Sequence, residues 1–396
     1  MALEAHDTTR ARVRLPASNA AGDNRAPAAR QSRPASPASA RRQGGRMRGI
    51  VFLGNRKLEI REFPDPTPGP GEVVIAIRAS GMCGSDLHPY RAAGNAAAAL
   101  GLGGQGGPVI GGHEPCGVVA ARGAGVAEAD APIGQRVMNH HYKGCGRCKH
   151  CHAGWSQLCP NGITVYGMTG HGGHAEYMLA PAFTLVPLAD SLSFEEGAAI
   201  SCGSGTAYGA LVRLDVSGRD TLAVFGQGPV GLSATMLGSA MGARVIAVDP
   251  VAERRKLATD FGADEVIDPA AGDPAAAIRD LTHGEGAPVT LDCSGHPDGR
   301  IGALRSAATW GRVGFVGEGN PTTFDVSQHM IRKQLTIHAS WTFSAVGQAD
   351  CARFVADRKV PLGKIFTHRF RLEEADAAYR LFDTQTTGKG VFLVGA

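Results

Sequence analysis

The sequence predicts an α/β protein built in two styles: a β-rich, barrel-like first half and a doubly wound parallel sheet in the second. Three observations predict it. From Met47 to about Cys202, short strand-like runs are separated by Gly- and Pro-rich turns. Beyond residue 203, continuous apolar runs alternate with helical stretches, as they do when parallel strands are buried on both faces. Finally, Gly226-Gln227-Gly228-Pro229-Val230-Gly231 stands between one such run and a helical stretch.

In chain order, residues 1–46 differ in kind from the rest. They carry nine arginines, no lysine, and Glu4, Asp7 and Asp23 as their acids, among many Ala, Pro and Ser residues. With no helical or strand periodicity, they predict a disordered extension dispensable for function. An organelle-targeting role fits poorly, because the prolines would break the amphipathic helix it needs and Met47 stands directly before the first strand-like run. In the β-rich half, Leu58-Glu59-Ile60-Arg61 alternates, Val73 to Ile77 is an apolar strand, Gly101 to Gly112 is a glycine-rich loop, and Gly117 to Ala120 resumes a strand. The second half offers the apolar runs Leu222–Phe225, Val245–Val248, Val266–Ile267, Val289–Leu291, Val313–Val316 and Leu335–Ile337. Six strands suit a complete dinucleotide-binding sheet. A helix around Cys351 to Val355 and a strand at Val391 to Val394 make a tail too short to fold alone. The expected organisation is 1–46 extension, 47–202 β-rich catalytic domain with a cysteine loop, 203–341 nucleotide-binding domain, and 342–396 returning to the first domain.

Composition excludes several classes of function. The 40 basic and 36 acidic residues become 31 and 33 once the extension is set aside, so the core is near neutral and carries no nucleic-acid signal. No stretch approaches the ~18 uninterrupted apolar residues of a membrane span. Nine cysteines in 396 residues do not make a secreted disulfide scaffold, and a reducing cytoplasm is the expected compartment.

The cysteine spacing points instead to metal. Cys145-x2-Cys148-x2-Cys151-x7-Cys159 can close a tetrahedron of four thiolates around Zn²⁺ with no position left for a substrate, the pattern of a structural site. A second, dispersed set comprises Cys83 in Gly81-Met82-Cys83-Gly84-Ser85-Asp86-Leu87-His88, His113 in Gly112-His113-Glu114, and Cys202 in Ser201-Cys202-Gly203. Two thiolates and one imidazole are the donors of a catalytic zinc that keeps one position open. In the glycine loop, Gly226 permits a tight turn and Gly228 lets backbone approach a pyrophosphate. Gly231 lets helix pack on strand, and Pro229 and Val230 open the helix whose N–H groups face the phosphates. Asp249 ends the next strand, eighteen residues after Gly231, where a carboxylate accepts ribose hydroxyls and repels a 2′-phosphate. That favours NAD over NADP, with Arg254 and Arg255 nearby as the countervailing feature. Cys116, Cys293 and Cys351 are read as ordinary buried thiols, and Tyr90, Trp155 and Trp341 as candidate pocket side chains.

Together these motifs resemble the medium-chain, zinc-containing alcohol and polyol dehydrogenases over essentially all of residues 47–396. The resemblance implies a GroES-like catalytic domain interrupted by a Rossmann domain, with the active site in the cleft between them. It implies Cys83, His113 and Cys202 as catalytic zinc ligands, with Glu114 beside them and Asp86 orienting the histidine. Ser85 and His88 then form the proton relay, Thr206 lies on the nicotinamide side, and Lys389 lies near the pyrophosphate. Gly84 stands where many simple alcohol dehydrogenases have a basic residue, which points to the polyol and threonine branches. Cys202 stands where polyol dehydrogenases usually place a glutamate, which points away from them. The implied function is NAD-linked oxidation of a small alcohol by a homodimer or homotetramer that engages neither nucleic acid nor membrane. The rivals are a zinc-free NADPH quinone or enoyl reductase on the same fold and a non-enzymatic nucleotide sensor.

Overall fold

The computed structural model describes residues 45–93 and 108–395. The expected extension lies outside the described residues apart from Gly45 and Arg46, as does most of the glycine-rich loop. Arg46 already belongs to the first strand, Arg46–Gly54, which forms a hairpin with Lys57–Pro64.

The β-rich half is organised around one long strand, Glu72–Gly81. It pairs antiparallel with Glu114–Arg122, Tyr177–Pro181 and the C-terminal strand Lys389–Leu393. Arg136–Asn139 and Leu185–Pro187 extend the sheet on one side, and Phe366–Phe370 closes it on the other. Val73, Val74, Ile75 and Ile77 are all at most 1 % exposed because layers cover this strand on both faces. The C-terminal tail therefore completes the sheet that begins the chain, with Val391 opposite Gly81.

The second sheet has six parallel strands in the spatial order Glu265–Ile267, Arg244–Val248, Thr221–Phe225, Ala287–Asp292, Ala307–Phe315 and Thr336–Ala339. Numbered by sequence this is 3-2-1-4-5-6, the arrangement of dinucleotide-binding sheets. The apolar runs fill its middle: Leu222, Val224, Val245, Ile246, Val289 and Leu291 are all fully buried, each contributing ~1.5–3 kcal/mol by leaving water. The order in which strands are added reverses between the parallel neighbours Thr221–Phe225 and Ala287–Asp292, and the crevice at the carboxyl ends of these two strands is where open α/β sheets bind ligands. Among the described residues no helix is long and apolar enough to cross a membrane.

Candidate active site and metal centres

Sheet pairing brings the dispersed ligand set together. Gly81 ends the central strand directly opposite Glu114, so the residues flanking that pair, Cys83 and His113, become neighbours despite 30 residues of separation. Gly81 also has to be small, since a Cβ there would collide with the Glu114 carboxylate. Cys83 caps a short 3-10 turn, Gly84–Asp86, and its backbone N–H donates to Asp86 Oδ2 at 2.8 Å. Cys202 arrives from the other direction, between helix Phe194–Ile200 and helix Gly203–Arg213. Ser201 beside it donates to the Pro115 carbonyl at 3.1 Å, pinning this junction to the His113 segment.

The donor atoms of Cys83, His113, Glu114 and Cys202 all lie within 4.8 Å of one another. The two sulfurs are 4.0 Å apart, close to the ~3.8 Å that two 2.3 Å Zn–S bonds subtend in a tetrahedron. All four side chains are buried, and Glu114 Oε2 has no hydrogen-bond partner among the described residues. Two soft thiolates, one imidazole and an orphaned carboxylate oxygen fit a zinc ion. Contact with Cys202 holds the Cys83 thiol well below its ordinary range against the opposing effect of burial, with help from His113 and Lys389. Burial pushes the Glu114 carboxyl up to about 8, although Lys389 pulls the other way.

The four-cysteine loop forms the second group of donors, again within 4.8 Å of one another. Cys148 Sγ is 3.5 Å from Cys151 Sγ and 3.8 Å from Cys159 Sγ, distances that also fit tetrahedral thiolate zinc. The loop folds this tightly because helix Lys149–His152 makes one turn between the second and third cysteines and Gly144 leaves room beside Cys151. The Arg147 backbone N–H, followed by the Asn161 side chain, lowers the Cys145 thiol to about 5, so amides and an amide side chain already favour a thiolate here.

A cavity of about 1100 Å³ runs from Cys83, His113 and Cys202 along the carboxyl ends of the parallel strands. Ser85, His88 and Thr206 line it. Ser85 Oγ lies 3.3 Å from Cys83 Sγ and 3.2 Å from His113 Nε2, while His88 is exposed. Gly226, Gly228, Pro229 and Val230 form the floor at the nucleotide end. Gly226 has φ +86 and abuts Ser294 so closely that a Cβ would overlap it, and a Cβ on Gly231 would strike the Gly226 carbonyl. Gly228 has open space instead, which leaves its backbone accessible. The helix Pro229–Ala240 begins here with proline in its first turn. Asp249 is 3 % exposed on the cavity wall. Its Oδ2 accepts from Gln227 N at 2.6 Å and its Oδ1 from Val251 N at 2.8 Å, which orients the carboxylate.

Four expectations need correction. Lys389 does not face the nucleotide cleft: it is 1 % exposed, and its Nζ donates to Glu114 Oε1 at 2.7 Å and to the Met82 carbonyl at 2.8 Å. A buried ammonium needs a counter-charge, and Glu114 is the one it has. Tyr90 is equally remote, 1 % exposed and packed against Phe52 and Tyr379. Trp155 does not line the cavity, whereas Trp341 does, and Cys293 lines it too rather than being an inert core thiol. Tyr142, Ile163, Val165 and Met168, also lining side chains, were not foreseen. They come from the segments flanking the cysteine loop, and no local motif marks them.

Comparison with known proteins agrees with this geometry. Residues 69–190 match the alcohol dehydrogenase GroES-like domain, and residues 229–357 match the zinc-binding dehydrogenase family. The chain is 42% identical over 349 residues to the uncharacterized zinc-type alcohol dehydrogenase-like protein YphC of Escherichia coli K12, covering 87% of this chain and 98% of that one. It is 32% identical to an L-threonine 3-dehydrogenase of Pyrococcus horikoshii, covering 85% of this chain and 95% of the relative. Among solved structures, the alcohol dehydrogenase TADH from Thermus sp. ATN1 superposes with a TM-score of 0.79 at 28% identity, covering 88% of this chain and 99% of that one. The protein belongs to the medium-chain zinc-containing alcohol dehydrogenase family and is an oxidoreductase of that family.

Proposed function

We propose that the protein is a zinc-dependent dehydrogenase that oxidises a secondary alcohol, a polyol or a related hydroxy compound by hydride transfer to NAD. The observation that carries this reading is the convergence of Cys83, His113 and Cys202 on one wall of the cavity whose other end is the glycine loop. In the reaction, zinc supplies Lewis acidity to the substrate hydroxyl and nicotinamide supplies the hydride acceptor. Cys83, His113 and Cys202 hold the ion, with Glu114 as a further carboxylate within reach. Ser85 Oγ, beside Cys83 and His113, would accept the hydroxyl proton, and the exposed imidazole of His88 on the same cavity would exchange it with solvent. Thr206 lines the cavity and would bound the nicotinamide side. Cys145, Cys148, Cys151 and Cys159 hold a second, structural zinc.

Asp249 supports NAD as the cofactor. Its oxygens each accept one backbone N–H and keep lone pairs for the ribose hydroxyls, and its charge opposes a 2′-phosphate. Arg254 lines the same cavity with an unpartnered Nε, so the discrimination is set by two opposite charges side by side. Asp249→Asn should reduce the ratio of kcat/KM for NAD⁺ over NADP⁺ by about tenfold, or ~1.4 kcal/mol. A wild-type preference for NADP⁺ would overturn the assignment.

The decisive experiment combines metal analysis with a turnover assay. Two zinc equivalents per chain are expected, with NAD⁺ reduction on some members of a panel of primary alcohols, secondary alcohols, polyols and L-threonine. The last belongs there because a relative bears its name. Zinc-independent turnover of quinones or enones with NADPH would replace this reading by the rival reductase.

A further inference from the structure

Behind His113 runs a chain of buried polar groups that the reaction scheme leaves unused. His113 Nδ1 lies 3.0 Å from Asp86 Oδ1, and neither atom has another hydrogen-bond partner among the described residues. The other oxygen, Asp86 Oδ2, accepts from the Cys83 backbone at 2.8 Å and from the Tyr379 hydroxyl at 3.3 Å. Tyr379 Oη is 2.7 Å from His174 Nε2, and His174 Nδ1 is 2.8 Å from Ser80 Oγ. Asp86, Tyr379, His174 and Ser80 are all 0 % exposed. They come from separate parts of the chain: Tyr379 sits on helix Ala375–Asp383, Ser80 on the central strand, and His174 in the loop before Tyr177–Pro181.

The proton order along this chain follows from what each group can donate. The carboxylate only accepts, so the Tyr379 O–H points at Asp86 and its oxygen is left to accept from His174 Nε2–H. Burial lowers the His174 imidazole to about 4, so it is neutral with a single N–H, and Nδ1 accepts the Ser80 hydroxyl. Every donor is then aimed toward Asp86. The His174 ring also presses on the main chain before His113, because a Cβ on Gly112 would overlap its imidazole. Gly173 N donates to the Gly112 carbonyl at 2.7 Å.

We propose that Tyr379 and His174 are positioning residues for His113, acting through Asp86. They hold the carboxylate against Nδ1–H, so that the Nε2 lone pair stays directed at Cys83, Cys202 and the metal. The inference rests on the zinc reading above and extends it to two side chains that touch neither metal nor substrate.

The test is release of zinc from the folded protein to a chromophoric chelator, measured well below the melting temperature. Wild type should hold two equivalents. Tyr379→Phe should release one of them at least tenfold faster and leave the other unchanged, in line with the ~10–100-fold effect of such outer partners on metal affinity. Because Tyr379→Phe strands the His174 N–H, the double variant Tyr379→Phe/His174→Phe separates the two effects. With both partners replaced by rings the stranded His174 N–H is gone, and fast release should persist. Phe392→Leu is the packing control, since that ring lies against both His174 and Tyr379; it should lower the melting temperature and leave release unchanged. Release within twofold of wild type in Tyr379→Phe and the double variant, or equally fast release in Phe392→Leu, overturns the inference alone. A wild type with one zinc equivalent overturns the zinc reading and this inference together.

Discussion

The two clusters of metal-type donors are built from similar groups and differ in everything around them. The four-cysteine loop spans fifteen residues, three of its cysteines are only half-buried, and its nearest polar partners are its own amides and Asn161. The Cys83, His113 and Cys202 cluster spans 120 residues of sequence and is wholly buried. It is surrounded by a carboxylate, an ammonium, a hydroxyl and an imidazole–carboxylate pair. The difference teaches what each can do. Four equivalent thiolates satisfy zinc completely and leave nothing for a substrate. In the proposed reading, three ligands beside an orphaned carboxylate and a serine would leave one position open, with a proton acceptor next to it.

Measured on turnover, perturbing the two clusters should give unequal effects. Cys83→Ser should remove one of two zinc equivalents and almost all activity while circular dichroism stays that of the wild type; full activity in a one-zinc protein would erase the distinction between the clusters. Ser85→Ala should keep both zinc equivalents and lower kcat by about 10²–10⁴-fold, the usual worth of a positioned acid–base group. Unchanged kcat would mean that the proton leaves by another route. Cys145→Ser should do least to chemistry and most to stability, because a closed zinc site contributes folding energy. Its melting temperature should fall by many degrees while the kcat of the fraction still folded stays near wild type. A selective loss of kcat at an unchanged melting temperature would show that the loop takes part in the reaction.

Legibility followed the same divide. The cysteine loop and the glycine loop were read directly, because each packs its chemistry into a few consecutive residues whose spacing dictates local geometry. The six apolar runs of the second sheet are also legible, five of them to within two residues at each end, whereas the strand at Val313–Val316 begins six residues earlier, at Ala307. Lys389 was misplaced because its neighbours in sequence, two glycines, say nothing about the buried Glu114 that it meets 275 residues away. Tyr90 and Trp155 were misplaced for a related reason: aromatic side chains suit a pocket wall and a core equally well. Tyr379 and His174 drew no notice, since nothing local separates a hydrogen-bonded buried residue from one that merely packs.

By itself the sequence determined the two styles of folding, the nucleotide-binding turn and the thiolate loop, since hydrophobic period, glycine conformation and ligand spacing all act over a handful of residues. Only the tertiary structure decided which distant side chains share a site. Register is the reason: Gly81 faces Glu114 across two antiparallel strands, and a slip of one residue would turn every side chain on a strand to the opposite face. The meeting of Cys83 with His113 depends on that alignment, while Cys202 and Tyr379 are brought in by helices packed from distant parts of the chain.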